Sequence, residues 1–294
     1  MIRFAAFTDL HYDHIHDGDR RVQAFLSRVK KEKLDFIISL GDLCYPIGEN
    51  KKVLNWLSDA NVPVYYAIGN HDSDCYRQEE VQTFLGLESL QYSFVIGQTK
   101  FIVLNSCYMK HGDTYEPYFK KNYEKQSDIY PVVPDFEVEW LKEEMADETL
   151  SYVIFSHHSL ANDFGKRGIA NREEIREILS DRKTLLCLNG HDHGDACVEI
   201  NDIPYVTLNS MSYIWHGMKE MFVYGNDVHE KYPELKDIIL YKDALHCIVE
   251  IDGEEIRIQG MESEYQYVCP EDVGIEDRRW NGVSIEPKVS GKDK

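Results

Sequence analysis

The first seventy residues of the chain alternate between short apolar runs and segments whose apolar side chains recur at helical spacing. The apolar run over 2–7 ends at polar Thr8, as expected of a buried strand that opens into a loop. Apolar positions three and four residues apart then predict an amphipathic helix over about 18–33. The alternation continues with a strand over 36–40, a helix that holds residues 53–60 and a strand over 62–68. This order is typical of a parallel sheet with helices on its faces.

The rest of the chain predicts further strands, two more helices and a long insertion. Residues 107–134 contain five tyrosines with little periodicity, which predicts either a lid with aromatic surface for an organic group or a packed insertion. Helices are expected from Asp135 to about Met145 and over 172–182. Strands are expected at 92–96, 101–104, 151–156, 184–189, 196–200, 204–208, 245–251 and 255–259.

Composition and charge narrow the class of protein. The length of 294 residues, 43% of them hydrophobic, is enough for a sizeable core. Seven scattered cysteines without a CxxC pair, and an N-terminus without signal-peptide features, indicate a reducing cytoplasm; no stretch approaches the length of a membrane span. The net charge of −20 disfavours a nucleic-acid partner, because most of the surface would repel a phosphate backbone. A small phosphorylated substrate is still compatible with it, since a bound cation can reverse the potential locally.

Polar clusters rich in histidine and aspartate follow five of the predicted strands. Ligands of open α/β sheets bind at the carboxyl ends of the strands, so these clusters are expected to converge on one crevice. In chain order they are Asp9-x-His11, Gly41-Asp42, Gly69-Asn70-His71-Asp72, His157-His158 and Gly190-His191-Asp192-His193.

The residue types in these clusters predict a metal site. Asp9 and His11 are two positions apart, so in extended backbone their side chains leave the same face and can share a cation, and His191 and His193 repeat this spacing. Imidazole, carboxylate and amide oxygen without thiolate suit Mn²⁺, Fe or Zn²⁺. The number of such side chains is too large for one catalytic ion and suits two divalent metal ions.

The ordered motifs DxH, GD, GNHD, H and GHxH, from Asp9 to His193, resemble the calcineurin-like metallophosphoesterase superfamily over about two thirds of the chain. The resemblance implies a four-layer α/β/β/α sandwich with two mixed sheets, which we assign to residues 1–260. The polar composition of the last residues predicts a C-terminal extension over 261–294 with a frayed end. It also implies two metal sites with one bridging carboxylate: Asp9, His11, Asp42 and His193 for the first, and Asp42, Asn70, His157 and His191 for the second.

The same resemblance implies a role for His71 and a reaction. His71 would contact the phosphoryl group and assist the leaving oxygen, while a hydroxide that bridges the metals attacks phosphorus. Neutral Asn70 would leave the centre with net positive charge toward a phosphate, and Asp72 could orient His71 or raise its pKa. His157 is preferred over His158 as the ligand, because in the similar HHP pattern the first histidine binds.

Several further polar residues have weaker signals. Lys166 and Arg167 could clamp a distal phosphate, and His216 follows a strand that could end near the substrate. The remaining polar residues of the first cluster are expected to be solvated loop or helix cap: Asp13, His14, His16, Asp17 and Asp19.

These observations together predict a metal-dependent phosphoester hydrolase that acts on a small phosphodiester or nucleotide-type substrate. A phosphomonoesterase or protein phosphatase of the same fold is the alternative within the enzyme class. The alternative from another class is a scaffold that keeps the fold for protein binding without catalysis, as in a retromer subunit of this superfamily. The complete ligand set and His71 disfavour the scaffold.

Overall fold

The computed structural model describes residues 1–122, 130–165 and 168–286, and the backbone of 288–290. Six α-helices lie in these residues: α1 (Gly18–Val29), α2 (Lys51–Ser58), α3 (Gln78–Leu85), α4 (Asp135–Glu144), α5 (Arg172–Ser180) and α6 (Asn226–Lys231). None of the described helices is long and apolar enough to span a bilayer. The strands of the described chain are β1 (Ile2–Phe7), β2 (Phe36–Ser39), β3 (Val64–Tyr66), β4 (Tyr92–Ile96), β5 (Thr99–Val103), β6 (Tyr108–His111), β7 (Thr114–Pro117), β8 (Ser151–Phe155), β9 (Thr184–Asn189), β10 (Ala196–Ile200), β11 (Ile203–Thr207), β12 (Tyr213–Trp215), β13 (Ile238–Leu240), β14 (Cys247–Asp252), β15 (Glu255–Gln259) and β16 (Lys288–Ser290).

Two six-stranded mixed sheets form the centre of the molecule. The first has the order β16-β15-β14-β1-β2-β3, with β1, β2 and β3 parallel. The second has the order β10-β11-β9-β8-β5-β4, with β11, β9, β8 and β5 parallel. All five polar clusters therefore follow parallel strands: three in the first sheet and two in the second.

The two sheets pack face to face through aromatic side chains. The ring of Phe4 in β1 lies 5.9 Å from Phe101 and 5.7 Å from Phe155 of the other sheet, in edge-on geometry. Side chains alternate along each strand, so the neighbours of these inward-facing residues point to the outer face of their sheet. There α1 and α2 cover the first sheet, and α4 and α5 cover the second. This arrangement confirms the four-layer α/β/β/α sandwich.

The tyrosine-rich insertion is partly ordered as a hairpin. Strands β6 and β7 pair antiparallel within the segment predicted to be an irregular loop. Tyr118, which follows β7, is fully buried, so this part of the insertion is packed. Residues 123–129 lie outside the described chain.

The segment after β15 packs back onto the sandwich. Ile285 is fully buried in the core between the sheets, and the backbone N–H of Asn209 donates to Ser284 at 2.8 Å. Trp280 donates its indole N–H to the carbonyl of Asp192 at 2.9 Å. The boundary at residue 260 stays a prediction, but residues on its C-terminal side support the loop that holds His191 and His193.

Candidate metal centre

Four side chains meet where the strands of the first sheet face β9. Nε2 of His11 lies 3.0 Å from Nε2 of His193. Oδ1 of Asp9 lies 3.5 Å from Nε2 of His11 and 3.2 Å from Nε2 of His193. Oδ2 of Asp42 lies 3.6 Å from Nε2 of His11. Ligand atoms of Asp9, His11 and His193 thus lie within 4.8 Å of one another, and Asp42 adjoins them at His11; their assignment to a first metal stays a prediction.

Asp42 also belongs to a second group. Its Oδ2 lies 3.1 Å from Nε2 of His157, and ligand atoms of Asp9, Asp42 and His157 lie within 4.8 Å of one another. His191 forms a further group with His157 and His158 at the same limit. The Asp42 carboxylate therefore lies between the two groups, where a bridging ligand would be.

Backbone carbonyls fix the orientation of two of the imidazoles. Nδ1 of His157 donates to the carbonyl of Leu40 at 2.8 Å, and Nδ1 of His193 donates to the carbonyl of Tyr213 at 2.9 Å. Because a carbonyl only accepts, Nδ1 of each ring carries a proton, and Nε2 is the nitrogen that faces the centre. This is the tautomer that a metal ligand requires.

The two carboxylates are held through one oxygen each. Oδ2 of Asp9 accepts from the Thr8 hydroxyl at 2.6 Å and from the backbone N–H of His191 at 3.0 Å. Oδ1 of Asp42 accepts from the backbone N–H of His71 at 2.8 Å. The other oxygens, together with Nε2 of His157, are buried without a hydrogen-bond partner among the described residues. Buried acceptors in this state are costly unless a cation satisfies them, so the residues present fit a metal.

At Asp9 and His11 the electrostatics of the centre favour the charge states of metal ligands, a carboxylate and a neutral imidazole. Burial raises the pKa of Asp9, but the imidazoles of His193 and His11 outweigh it and hold the pKa well below its ordinary value. Burial lowers the pKa of His11 to about 4. Burial also lowers the pKa of His157, but the Asp42 carboxylate outweighs it and raises the pKa to about 9. A cation bound beside Asp42 would reverse this effect, because its positive charge disfavours a second proton on the imidazole.

A family model of calcineurin-like phosphoesterases matches residues 2–195. The chain belongs to this family. It is therefore a phosphoester hydrolase, and its Asp and His groups could hold the two metals on which such enzymes depend. No curated protein matches the chain in sequence.

Three solved structures of low sequence identity are similar to the chain to different degrees. A dimetal phosphatase from Danio rerio is 13% identical, with a TM-score of 0.63 over 90% of this chain and 98% of that one. A putative 5′-nucleotidase from Staphylococcus aureus is 12% identical, with a TM-score of 0.48 over 92% and 56%. A single mutant of Vps29 from Entamoeba histolytica is 13% identical, with a TM-score of 0.45 over 98% of both chains. The likeness to the Danio rerio protein shows a shared fold.

The backbone of the phosphoesterase is unusual at several of the predicted ligands. Five of the eleven described non-glycine residues with positive φ are predicted ligands: Asp9, His11, Asp42, His191 and His193. The side chains of Asp9 and His11 lie close together as expected, but the extended backbone predicted for them is wrong, since both residues are left-handed. Left-handed backbone costs about 1–3 kcal/mol per residue and persists where surrounding contacts impose it.

Glycines before the ligands allow a close approach that no other residue permits. A Cβ at Gly69 would lie 2.0 Å from Oδ1 of Asp42, and one at Gly190 would lie 1.9 Å from the Thr8 hydroxyl oxygen. These two glycines bring the third and fifth motifs of the phosphoesterase against the first two.

His71 is oriented by Asp74 and not by Asp72, which corrects the sequence-based expectation. Nδ1 of His71 lies 2.8 Å from Oδ2 of Asp74, and the Tyr118 hydroxyl donates to the other oxygen of Asp74 at 2.8 Å. The Asp72 carboxylate instead accepts backbone N–H groups of Asp42, Leu43, Cys44 and Gly69 at 2.8–3.2 Å. Asp72 therefore ties the second motif to the third.

Sequence reasoning missed Asp74 because its signal is weak. A short 3₁₀ helix over His71–Ser73 brings residues three positions apart onto one side, which places Asp74 beside His71. Only a predicted 3₁₀ turn after the GNHD motif could have indicated this pair. Tyr118 had no usable signal, since the insertion showed no periodicity.

The first cluster also contains more buried residues than expected. His14 is buried with its ring 5.2 Å from His11, and its Nε2 lies 3.0 Å from the Tyr45 hydroxyl. Asp13 accepts from the Tyr45 backbone N–H at 2.7 Å and from the Asn50 amide at 2.8 Å. The expectation of solvated loop is wrong for these two residues, because the loop after β2 covers them.

The remaining candidates have different surroundings. Nδ1 of His158 lies 2.8 Å from the Ser106 hydroxyl, whereas Nε2 of His157 faces Asp42, so the geometry favours His157 as the ligand. Asn70 is buried beside His71. His216 is buried after β12, where its Nδ1 accepts from the backbone N–H of Met218 at 3.2 Å. Lys166 and Arg167 lie outside the described residues.

Proposed function

We propose that this phosphoesterase hydrolyses a small phosphodiester or nucleotide-type substrate at a centre of two divalent ions, Mn²⁺, Fe or Zn²⁺. The observation that supports it most directly is a set of buried atoms that could bind a metal and have no hydrogen-bond partner in the described chain: Oδ1 of Asp9, Oδ2 of Asp42 and Nε2 of His157. The other oxygen of each carboxylate and Nδ1 of His157 are held by the Thr8 hydroxyl and by backbone groups. The three atoms without a partner therefore point toward the centre.

Seven residues would hold the two ions. Asp42 would bridge, with Asp9, His11 and His193 on one side and Asn70, His157 and His191 on the other. When bound, the two ions would polarise the phosphoryl oxygens and lower the pKa of a water placed for in-line attack.

His71 is suited to deliver a proton to the leaving oxygen. Its side chain is 24% exposed, whereas that of His11 is 2% exposed, so His71 lies at the side of the centre that a substrate can reach. Asp74 accepts the Nδ1 proton, which leaves Nε2 to hold the transferable proton. Asn70, His216, Lys166 and Arg167 complete the proposed substrate contacts.

The charge of the chain supports a small substrate. With 52 acidic and 32 basic residues, the surface would repel a nucleic acid, while a phosphoryl group at the metal centre meets local positive charge. We also propose a cytoplasmic location, where its seven cysteines would stay reduced.

A substrate panel tests this proposal. The purified chain is loaded with Mn²⁺, Fe²⁺ or Zn²⁺ and assayed on bis(4-nitrophenyl) phosphate, cyclic nucleotides, nucleotide pyrophosphates, phosphomonoesters and a phosphopeptide. We expect metal-dependent turnover that favours a diester or a nucleotide pyrophosphate. Preference for the monoesters or the phosphopeptide would replace the proposed substrate class, and two bound ions without any turnover would contradict hydrolysis.

A further inference from the structure

Strand β12 carries a line of aromatic rings from the metal centre to the surface. The ring of Tyr213 is fully buried and lies 5.1 Å from His11 and 4.7 Å from His193. Trp215 is two positions further along the strand, so its side chain leaves the same face. Its ring lies 6.1 Å from that of Tyr213 and is 40% exposed. Two ring-to-ring steps therefore connect a predicted ligand to solvent.

Exposed apolar side chains are concentrated in the segment of chain that continues from Trp215. Nine large apolar residues are exposed in the described chain, and four of them fall between positions 215 and 223: Trp215, Met218, Phe222 and Val223. Single exposed apolar residues need no explanation, but a local group beside a polar site marks a surface that binds something.

We propose that Trp215, backed by Tyr213, forms a subsite for an aromatic ring in the organic group of the phosphoester. This rests on the proposed function, because the metal centre would fix the phosphoryl end of the same molecule. The continuity of the rings favours a substrate over a protein partner. Four side chains are also few compared with the roughly 20 residues per side of a stable protein interface.

The chemistry of the subsite favours a flat ring over an aliphatic group of the same size. Indole and phenol rings attract a third ring through offset or edge-on contacts in addition to its apolar burial. An aromatic contact of this kind corresponds to about three- to tenfold in affinity. The ring must be joined to phosphorus by a short chain, since Trp215 is two ring steps from His193.

Calorimetric binding of three phosphonates to the Mn²⁺-loaded protein tests the subsite without turnover. Methylphosphonate reports the metal centre alone. A phosphonate that carries phenyl on a three-carbon chain adds the ring, and its cyclohexyl counterpart adds the same bulk without π electrons. We expect the phenyl compound to bind about three- to tenfold more tightly than the cyclohexyl compound.

Three variants locate the preference. Trp215→Ala should abolish the preference for the phenyl over the cyclohexyl phosphonate without a change in methylphosphonate affinity. Trp215→Phe should restore most of this preference. Trp56→Ala, on α2, is the matched control and should leave it unchanged. The melting temperature of each variant without metal checks that the fold is intact.

The contrary outcomes distinguish failure of the subsite from failure of the proposed function. A phenyl preference that is absent in the wild type, or that survives Trp215→Ala, overturns the subsite alone. A wild-type dimer that becomes a monomer in Trp215→Ala shows a contact between copies and also overturns it. Failure of methylphosphonate to bind the wild type overturns the proposed function, and the subsite with it.

Discussion

Nε2 of His157 lies 3.1 Å from Oδ2 of Asp42, and this pair joins the two sheets at the metal centre. Asp42 follows β2 of the first sheet, and His157 follows β8 of the second. Packing of the sheets through Phe4, Phe101 and Phe155 therefore sets the geometry of the ligands. A centre of this kind forms only when the whole sandwich has folded.

Substitution of His71 separates proton delivery from metal binding. We expect His71→Ala to lower kcat by about 10²–10⁴-fold, because the variant lacks the group that we propose protonates the leaving oxygen. The metal content should stay the same. Asp74→Asn removes the carboxylate on Nδ1 and should lower kcat by about 10–100-fold. Steady-state kinetics and metal analysis of both variants check this.

His111→Ala is the matched control for His71, since His111 is an exposed residue at the end of β6. It should keep the wild-type kcat. If His71→Ala kept it too, the proposed proton donor would be wrong.

Gly69 provides a test of close packing at the centre. A Cβ there would lie 2.0 Å from Oδ1 of Asp42, so Gly69→Ala should displace that carboxylate and lower the unfolding free energy by about 1–3 kcal/mol. Gly48→Ala has no atom within 4 Å of the added Cβ and should change stability by less than about 0.5 kcal/mol. Urea unfolding of both variants checks the difference. Equal stability of the two would refute the close approach.

Glu137 predicts a dependence of stability on pH. Burial raises its pKa to about 8, and only the backbone N–H of Asn105, 2.7 Å from Oε1, opposes this. The unfolded chain releases the proton near 4.5, the ordinary value, so stability falls as pH rises from there through about 8. Between pH 5 and 8 the wild type should lose on the order of 2–4 kcal/mol of unfolding free energy through Glu137, and Glu137→Gln should not show this loss.

Urea unfolding of the wild type and of Glu137→Gln at both pH values measures this loss. Glu139→Gln, on the exposed side of the same helix, is the control and should behave as the wild type. If the wild type and Glu137→Gln changed equally with pH, the buried carboxyl would not be the cause.

The sequence pattern predicted individual strands and helices well where burial follows a simple period, and the family resemblance implied the sandwich. β1 and β9 are runs of apolar residues buried on both faces, and their bounds agree with the prediction. α1 was predicted to continue to about 33 but ends at Val29, because the charged residues after it have no core to contact. The β6–β7 hairpin was missed, since contacts around Cys107 hold it, including one from the Gln78 amide at 2.6 Å.

At the centre, residue types were predictable and local geometry was not. Asp9 and His193 come together as the motif order implied. Their left-handed backbone is imposed by neighbouring loops, such as the hydrogen bond from Asp9 N–H to the carbonyl of Gly41 at 3.0 Å. A contact between loops on different strands has no signature in either segment alone.

The most direct test of the account is the number of metal ions bound per chain and its dependence on Asp42. Protein dialysed against Mn²⁺, freed of unbound metal and analysed by mass spectrometry should hold two ions in the wild type and in the control Asp59→Asn, an exposed position. Asp42→Asn removes the bridging charge and should hold fewer than one, with hydrolysis of bis(4-nitrophenyl) phosphate reduced about 10³-fold or more. Two ions and an undiminished rate in Asp42→Asn would contradict the account.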